Sequence, residues 1–531
     1  MRPSGRPGEL FEAFSRLTAR AFADDRLLAC PTLSKAPHSG DILRRFLRND
    51  PYQPPAGRIR LILRYGLTNG GHLCFLLLTR LFLALLGWKT PWTALRQAGK
   101  PSSGEESGAG RTGAPVIVDT FALLPDLAES GCFREGYLPG LAEALRENGH
   151  PPVRLYRLYG SRDPRILWKA LKVLAAAGPG LTEAHLFRAG DWLRLLRHCC
   201  AYPRALRRLI RSLDAADPAA PEAWIRGALI RTAGQNILGG EARRLAGLRL
   251  GAGLASLPRG NPPVRIISWY ENQTIDKTFQ RGLAQAEGLT GRHIPTLGAQ
   301  LFIWPATLLN NHPDDGEAAL GLTPDRILVN GPFFLPENTR QAYALGPSLR
   351  YGHLFVPPLS RGETENRPLL VLLSYHPEET ARVLELVLPL ARGQNLLYKF
   401  HPAARVADFA SFLPPSPSLI SGALAPALEK AGAVIGAGSG SLAEAVVLGL
   451  PVLNAEDPSG IDGLSLTYLP PLGRGRLWES ARRTEDIEPA LRRLHAFRKD
   501  PARPELLTAF RNLLFTAPTP EAVRKAFFPP V

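Results

Sequence analysis

The sequence predicts an α/β protein with two Rossmann-like lobes, an α-helical insertion in the first lobe and a helical extension at the N-terminus. Two stretches predict the lobes, because short apolar runs alternate there with segments of helical periodicity, as in parallel sheets. These stretches are residues 115–350 and 360–500. The chain has 531 residues, of which 45% are apolar, and can therefore bury more than one core.

The predicted N-terminal extension covers residues 1–98. Residues 58–98 contain an apolar run of about 16 residues that Arg80 interrupts, whereas a membrane-spanning helix needs about 20. Two interpretations are equally favoured, a helix lying in the membrane interface or a helix buried against the main body, and a membrane span is a third, less favoured one. The first residues lack the apolar core of a secretory signal, which favours a cytoplasmic protein, peripheral at the inner membrane in the first interpretation.

Residues 99–114 are rich in glycine and serine and predict a flexible linker before the first lobe. In that lobe, residues 115–120, 153–159 and 264–270 are predicted strands, and 163–258 is the helical insertion.

The second lobe has predicted strands at 369–375, 395–400, 431–438 and 451–456, followed by a helical tail at 501–531. Ligands of such sheets bind at the carboxyl ends of the strands.

Composition narrows the range of partners. The net charge is +17, which attracts phosphates and anionic lipids, although high arginine content also accompanies GC-rich genomes. The basic residues are scattered rather than grouped in one arm, so nucleic acid is not an expected partner. Five cysteines fit neither a disulfide framework nor a zinc site.

The segment 435–453 predicts an anion site. Gly438 and Gly440 allow a tight turn after a strand, and Ser439 and Ser441 add hydroxyl donors before a helix whose first amides can face a phosphate. Glu444, in the first turns of that helix, could accept hydrogen bonds from ribose hydroxyls. An ordinary serine N-cap would give the same pattern.

A second motif, YKFHPAA, places His401 and Pro402 directly after a strand. The predicted sheet brings His401 to the same edge as Ser439, where an imidazole can donate to a phosphate. A structural histidine is the alternative interpretation.

Together, the HP pair, the serine turn, the helical Glu444 and the following LGLPV resemble bacterial transferases of the GT-B architecture, over about 90 residues. The nearest groups are capsule-type polysaccharide enzymes, including Kdo transferases, polysialyltransferase-like enzymes and CDP-glycerol glycerophosphotransferases. The resemblance implies a GT-B-like glycosyltransferase of surface polysaccharide biosynthesis. His401, Pro402, Ser439, Ser441 and Glu444 would then hold a nucleotide-sugar, with a cytidine nucleotide as one candidate, and the acceptor would be a glycan or a lipid-linked glycan.

The first lobe should supply the general base of an inverting transfer. The candidates are Asp119, Glu135, Glu271 and Asp276, and spacing alone does not choose among them. Glu135-Gly136 resembles the acidic-glycine motif of sialyltransferase-like groups, with one acidic residue in place of two. Glu271 and Asp276 lie in SWYENQTIDKTF, where a strand gives way to a helix.

The sequence predicts neither a cofactor nor a metal site, because helix dipoles and cations can neutralise a leaving phosphate. Two further interpretations remain: a nucleotide-sugar 2-epimerase of the same architecture, and a non-catalytic assembly protein that binds glycan or membrane.

Overall fold

The computed structural model describes most of the chain. The described residues are 5–35, 39–52, 57–88, 92, 95, 114–178, 180–213, 217–257, 264–337, 339–355, 367–402, 404–461, 464 and 467–528. The predicted linker, residues 99–114, lies outside this part of the chain except for Ala114.

In its described residues, the N-terminal extension includes the helices α1 (Gly5–Ala21), α2 (Ser39–Arg48) and α3 (Arg58–Leu85). Helices α1 and α2 are amphipathic, and their apolar faces share one core with leucines of both lobes, among them Leu309 and Leu464. On the second lobe, Arg44 pairs with Glu378 and Glu379. The extension therefore bridges the two lobes, a role that its sequence did not predict.

A buried ionic cluster fixes the start of the extension to the first lobe. The Lys35 and Lys277 ammonium groups lie 3.1 Å and 2.7 Å from Glu317 Oε1, and Lys35 also pairs with Asp314. Burial alone would raise the pKa of Glu317, but the two lysines outweigh it and hold the pKa at about 2. Because a buried charge without its partner is costly, loss of either lysine would destabilise the docked extension.

The first lobe contains a sheet of seven parallel strands. In chain order they are β1 (Val116–Leu123), β2 (Pro152–Tyr159), β3 (Gly180–Thr182), β4 (Arg265–Trp269), β5 (Thr296–Gln300), β6 (Arg326–Val329) and β7 (Ala342–Leu345). They lie in the order β3-β2-β1-β4-β5-β6-β7. The order reverses between β1 and β4, and ligands of open α/β sheets bind at such a reversal.

Nine helices of the first lobe connect these strands in the described residues. They are α4 (Leu124–Ser130), α5 (Leu141–Glu147), α6 (Pro164–Ala176), α7 (Glu183–Leu186), α8 (Ala189–Ser212), α9 (Pro221–Arg231), α10 (Leu238–Ala255), α11 (Thr274–Thr290) and α12 (Asp315–Ala319). Residues 163–258, predicted as helical, also contain strand β3. Three residues beginning with glycine are too few to show an alternating pattern, so the sequence did not reveal this edge strand.

The second lobe contains six parallel strands: β8 (Leu369–Leu373), β9 (Leu396–Phe400), β10 (Ser418–Leu419), β11 (Ala433–Gly436), β12 (Val452–Ala455) and β13 (Trp478–Ala481). Their order, β10-β9-β8-β11-β12-β13, repeats the reversal of the first lobe, here between β8 and β11. The intervening helices are α13 (Pro377–Val387), α14 (Leu424–Lys430), α15 (Ser441–Val447) and α16 (Thr484–Phe497).

The C-terminal tail forms two helices, α17 (Arg503–Leu514) and α18 (Pro520–Phe527). Helix α17 packs against both lobes, because Phe510 and Leu514 share one core with residues of each, such as Val329 and Val446. Helix α18 returns to the first lobe, where Phe527 joins the core beneath Val116 of β1. The fold-class prediction is confirmed: two Rossmann-like lobes in a GT-B-like α/β protein, with a helical insertion and an N-terminal helical extension.

Candidate active site

A cleft of about 460 Å³ lies where the carboxyl edges of the two sheets meet. The first lobe contributes aromatic, amide and acidic side chains, and the second contributes histidines, the glycine-serine turn and one glutamate. Of the predicted site residues, the cleft brings together Glu271, His401, Gly438, Ser439, Gly440, Ser441 and Glu444. A cleft of this volume with a few converging polar groups is typical of small-ligand sites.

The reversal in the second sheet forms one wall. The Ser374 hydroxyl, just after β8, donates to the Gly438 carbonyl at 3.1 Å and so ties the ends of β8 and β11 together. Gly438 has φ +60, and a Cβ there would lie 3.2 Å from Ser374 Oγ. Gly440 faces the first lobe, where a Cβ would lie 3.2 Å from Ile303. The turn therefore needs glycine both for its backbone and for its approach to the opposite lobe.

His401 lies at the end of β9, beside this turn. Its backbone N–H donates to the Leu373 carbonyl at 3.0 Å, which continues the ladder between β9 and β8. Its ring centre is 5.4 Å from that of Tyr375. Burial and the neighbouring Lys399 lower the pKa of His401, so the ring is neutral near pH 7 until an anion approaches. Pro402 is exposed and does not line the cleft.

The sequence predicts that the first amides of this helix face a phosphate, and the structure differs at Ser441. The Ser441 N–H donates to the Ser439 hydroxyl oxygen at 3.3 Å, and α15 has only seven residues. Such a short helix has a weak dipole. The groups of the turn that can bind an anion are therefore the serine hydroxyls and the backbone amides. Glu444 accepts from His353 at 3.1 Å, and this hydrogen bond raises the pKa of His353.

Glu271 is the acidic group of the opposite wall. It follows β4 at the reversal of the first sheet, where the Trp269 indole N–H donates to Oε1 at 2.7 Å and the Gln273 amide donates to Oε2 at 2.5 Å. Burial, reinforced by the nearby Asp276 carboxylate, raises the pKa of Glu271. The carboxyl is thus oriented by two donors and is more basic than an ordinary glutamate.

Asp119 and Asp276 have structural positions instead. Arg157 donates to both, at 2.6 to 2.9 Å, and Arg243 donates to Asp119 at 2.8 Å. The other Asp276 oxygen accepts the backbone N–H groups of Glu271 and Gln273 and caps α11. We call these four charged residues the closed ion cluster. Both carboxylates are buried and bonded on both oxygens, so Asp276, a predicted catalytic residue, lies in this structure as the cap of α11.

Glu135 also lies away from the cleft lining. Its Oε1 accepts from the Thr120 hydroxyl at 2.9 Å and from the backbone N–H groups of Tyr137 and Leu138. These bonds hold the turn that presents Tyr137 to the cleft. In this arrangement, Glu135, a predicted base, holds Tyr137 in its position at the cleft.

Sequence reasoning missed two cations of the cleft. Arg350 has its guanidinium carbon 5.5 Å from the ring centre of Trp269 and 5.7 Å from that of Tyr137, and no carboxylate pairs with it among the described residues. Arg44 reaches the cleft from the extension. Arg350 lies in a short 3-10 helix (Leu349–Phe355) between the lobes, and Arg44 is separated from the other cleft residues by more than 90 positions. Neither has a local pattern that could have revealed it.

Comparisons with known proteins give a likeness of fold. No family profile matches the chain, and no curated protein matches it. Solved structures with similar architecture include UDP-GlcNAc 2-epimerase from Neisseria meningitidis bound to UDP-GlcNAc, at 12% identity over 78% of this chain and 99% of that chain, with a TM-score of 0.40. MurG of Acinetobacter baumannii matches at 13% identity over 78% and 99%, with a TM-score of 0.37.

A third structure, the glycosyltransferase SnogD from Streptomyces nogalater, matches at 18% identity over 78% of this chain and 98% of that chain, with a TM-score of 0.33. These likenesses include transferases and epimerases at low identity. We draw no functional conclusion from them.

Proposed function

We propose that this protein is a glycosyltransferase that moves a sugar from a nucleotide-activated donor to a hydroxyl of a surface glycan or lipid-linked acceptor. One observation carries the proposal: Glu271, a carboxylate of raised pKa on the first lobe, shares a cleft with the His401 imidazole and the serine turn of the second lobe. That arrangement pairs a base with an anion-binding wall.

In the proposed reaction, Glu271 removes the proton of the acceptor hydroxyl as its oxygen attacks the anomeric carbon. The bond between that carbon and the donor phosphate breaks, and the electron pair leaves with the nucleotide. A base contributes most when its pKa lies near the working pH, which a raised pKa favours. The Trp269 and Gln273 hydrogen bonds hold the carboxylate in position.

The second lobe would bind the nucleotide. The His401 ring, the Ser439 and Ser441 hydroxyls and the turn amides would donate to phosphate oxygens. Arg350, which has no carboxylate partner in the described part of the chain, would neutralise the charge that develops on the leaving group. A cytidine nucleotide is the candidate that the HP and serine motifs favour.

The first experiment measures nucleotide binding. CMP, CDP, UDP and GDP are each added to the wild-type protein and to His401→Ala, and the melting temperature is recorded. A ligand at 100 times its Kd stabilises the folded state by about 2.7 kcal/mol. We expect a shift with one base and its loss in His401→Ala, whereas His293→Ala, outside the cleft, should keep it. No shift with any nucleotide would sink the proposal.

Product analysis then separates the chemistries. The donor is incubated with and without an acceptor, and the sugar products are resolved by chromatography. A transferase leaves the donor sugar unchanged without acceptor, apart from slow hydrolysis. Conversion of the donor to its 2-epimer would assign an epimerase instead. Glycan binding that is equal in wild type and His401→Ala, with no product formed by either, would favour an assembly role.

We further propose that α3 lies against an anionic membrane surface. Among the described residues, α3 is the one helix long and apolar enough to cross a bilayer, with a mean hydropathy of 1.3, and 28% of its most apolar window is buried. An exposed stripe of apolar residues runs along it at helical spacing: Ile59, Leu63, Leu67, Leu77, Leu81 and Leu85. The exposed Arg60, Arg64 and Arg80 flank this α3 stripe, as in helices that lie in a lipid interface.

Vesicle flotation tests this placement. Wild-type protein should float with vesicles containing phosphatidylglycerol, and the triple variant Leu63→Ser, Leu67→Ser, Leu81→Ser should not. A control triple at exposed leucines elsewhere, Leu289→Ser, Leu345→Ser, Leu419→Ser, should float like the wild type. Equal flotation of both triple variants would contradict the proposal that α3 lies against the membrane.

A further inference from the structure

A second cavity lies behind α3, on the side opposite the exposed stripe. It has a volume of about 180 Å³ and lies between α3 and the carboxyl edge of strands β1 to β3. We call it the α3 pocket. Its lining is His72, Phe75, Leu76, Thr79, Phe121, Tyr156, Arg157, Leu158, Tyr159, Thr182, Glu183, Ala184, Gly239, Arg243 and Ile275.

The walls of the α3 pocket are hydrocarbon. Phe75 and Leu76 come from α3, Phe121 and Leu158 from the sheet, and Ile275 from α11. Such walls favour apolar groups, because burial of apolar surface is worth about 25 cal/mol per Å².

The charged groups of the pocket, Arg157, Arg243 and Glu183, are already in ion pairs. The Arg157 guanidinium donates to Asp119 and Asp276, and the Arg243 guanidinium donates to Asp119 and Glu183. Burial, together with Arg162, lowers the pKa of His72 to about 4, so its ring is neutral at physiological pH. His72 Nε2 has no hydrogen-bond partner among the described residues. The pocket therefore offers no unpaired charge to a polar ligand.

The α3 pocket is one aromatic layer away from the cleft. Phe121 lines the pocket and packs against Tyr137 of the cleft, with 5.1 Å between ring centres. The Tyr137 hydroxyl is 2.9 Å from that of Tyr159, which also lines the pocket. A chain held in the pocket would thus bring its polar end to the same aromatic wall that borders Glu271.

We propose that the α3 pocket binds the hydrocarbon chain of an amphiphilic acceptor, whose hydroxyl-bearing end enters the cleft past Phe121 and Tyr159. This inference rests on the proposed transfer function and specifies its acceptor as a single-chain lipid conjugate. The position of the pocket supports it. The opposite face of α3 carries the exposed apolar stripe, and α3 is therefore the part of the protein that a membrane-borne chain would meet first.

A binding measurement tests the pocket without any turnover. The probe is an undecanol carrying a dansyl group, used below its micelle concentration, and the reference is dansyl amide without a chain. We expect saturable binding of the chain-bearing probe, which should weaken by about fourfold for each methylene removed from the chain. Equal binding of probe and reference would overturn the proposal.

Variants locate the chain. Ile275→Trp, at a half-buried wall position, should fill the pocket and weaken probe binding at least tenfold. Ile210→Trp on α8 has similar burial and lies outside the pocket, so it should bind like the wild type. Circular dichroism checks that both fold. If Ile275→Trp does not fold, the chain-length series still decides the question, and equal binding by both folded variants would reject this site.

Nucleotide binding separates the two proposals. A protein that binds nucleotide in the cleft but shows no chain-dependent probe binding would keep the transfer function and lose the lipid acceptor. A protein that binds the probe but no nucleotide would lose the transfer function, and the α3 pocket would stand as a lipid site alone.

Discussion

The closed ion cluster and the cleft lie at the same edge of the first sheet, yet the carboxylates of the cluster are paired with arginines and Glu271 of the cleft, among the described residues, is not. In the cluster, Asp119 is buried and paired with Arg157 and Arg243, and Asp276 is buried and paired with Arg157. In the cleft, Glu271 receives only neutral donors and has a raised pKa. Arg350 stands over aromatic rings without a described carboxylate partner.

This difference shows which acidic residue is suited to chemistry. Burial alone would raise the pKa of Asp119, but the guanidinium groups of Arg157 and Arg243 outweigh it and lower the pKa, so Asp119 is a poor proton acceptor. A carboxylate held by an indole and an amide is oriented but not neutralised. The closed ion cluster can therefore be assigned to stability and the cleft groups to binding and reaction, and each assignment can be tested by substitution.

The largest expected effect is on stability. Arg157→Ala would leave Asp119 and Asp276 buried without their shared partner, at a cost of about 3–5 kcal/mol. Urea unfolding measures this loss. Arg154→Ala, on the same strand, removes one long hydrogen bond to a carbonyl and should cost less than about 1 kcal/mol. Similar losses in both variants would contradict a special role for the cluster.

The second expected effect is on turnover alone. Glu271→Gln keeps the shape of the side chain and removes the base, so kcat should fall by about 10²-fold or more. The free energy of unfolding should change by less than about 1 kcal/mol, and nucleotide binding should persist. Glu444→Gln, on the other wall, is the matched control and should change KM for the donor more than kcat. Full activity of the Glu271→Gln protein would exclude Glu271 as the general base.

The third expected effect is a shift in pH dependence. Burial raises the pKa of Glu271, and the base acts only when ionised. The value of kcat/KM should therefore fall with decreasing pH at a higher pH than the ordinary glutamate pKa, which is about 4.3. His401 also titrates, with its pKa lowered, so the profile is repeated in His401→Gln. Persistence of the acidic limb in that variant would assign it to Glu271, and its loss would assign it to His401.

The smallest expected effect is on donor affinity. Arg350→Met should weaken nucleotide-sugar binding about tenfold, because a hydrogen bond to a charged group contributes about 1.5 kcal/mol. Arg474 is a matched control, since its guanidinium carbon is also 5.5 Å from a tryptophan ring centre but it pairs with Glu479 outside the cleft. Arg474→Met should leave affinity unchanged, and calorimetry compares the two. Equal affinities in both variants would exclude Arg350 from the donor site.

Much of the fold could be predicted from the sequence, because continuous apolar runs mark buried parallel strands. Runs at 369–375 and 395–400 predicted β8 and β9, so the position of His401 after a strand followed directly. Strands β3, β10 and β13 have two to four residues each, and such short edges carry no periodicity. The sequence prediction ended the first strand at residue 120, whereas β1 continues to Leu123 and leaves Asp119 inside the sheet.

The cleft could be predicted only in part. Glu271, His401 and the serine turn stand next to strand ends, which a one-dimensional pattern reveals. The distinction between Glu271 and Asp276 depends on Arg157, which lies more than 110 residues earlier in the chain. Arg44 belongs to a segment without any motif, and its place in the cleft follows from the packing of α2 between the lobes.

The return of α18 to the first lobe has a consequence for synthesis on the ribosome. Phe527 packs under β1, and its carbonyl accepts from Arg265 at 3.3 Å. The first lobe therefore emerges almost 200 residues before its last core residue is translated, while domains generally fold as they emerge. We expect nascent chains to hold an incompletely packed first lobe, with exposed apolar surface, until α18 has emerged from the ribosome.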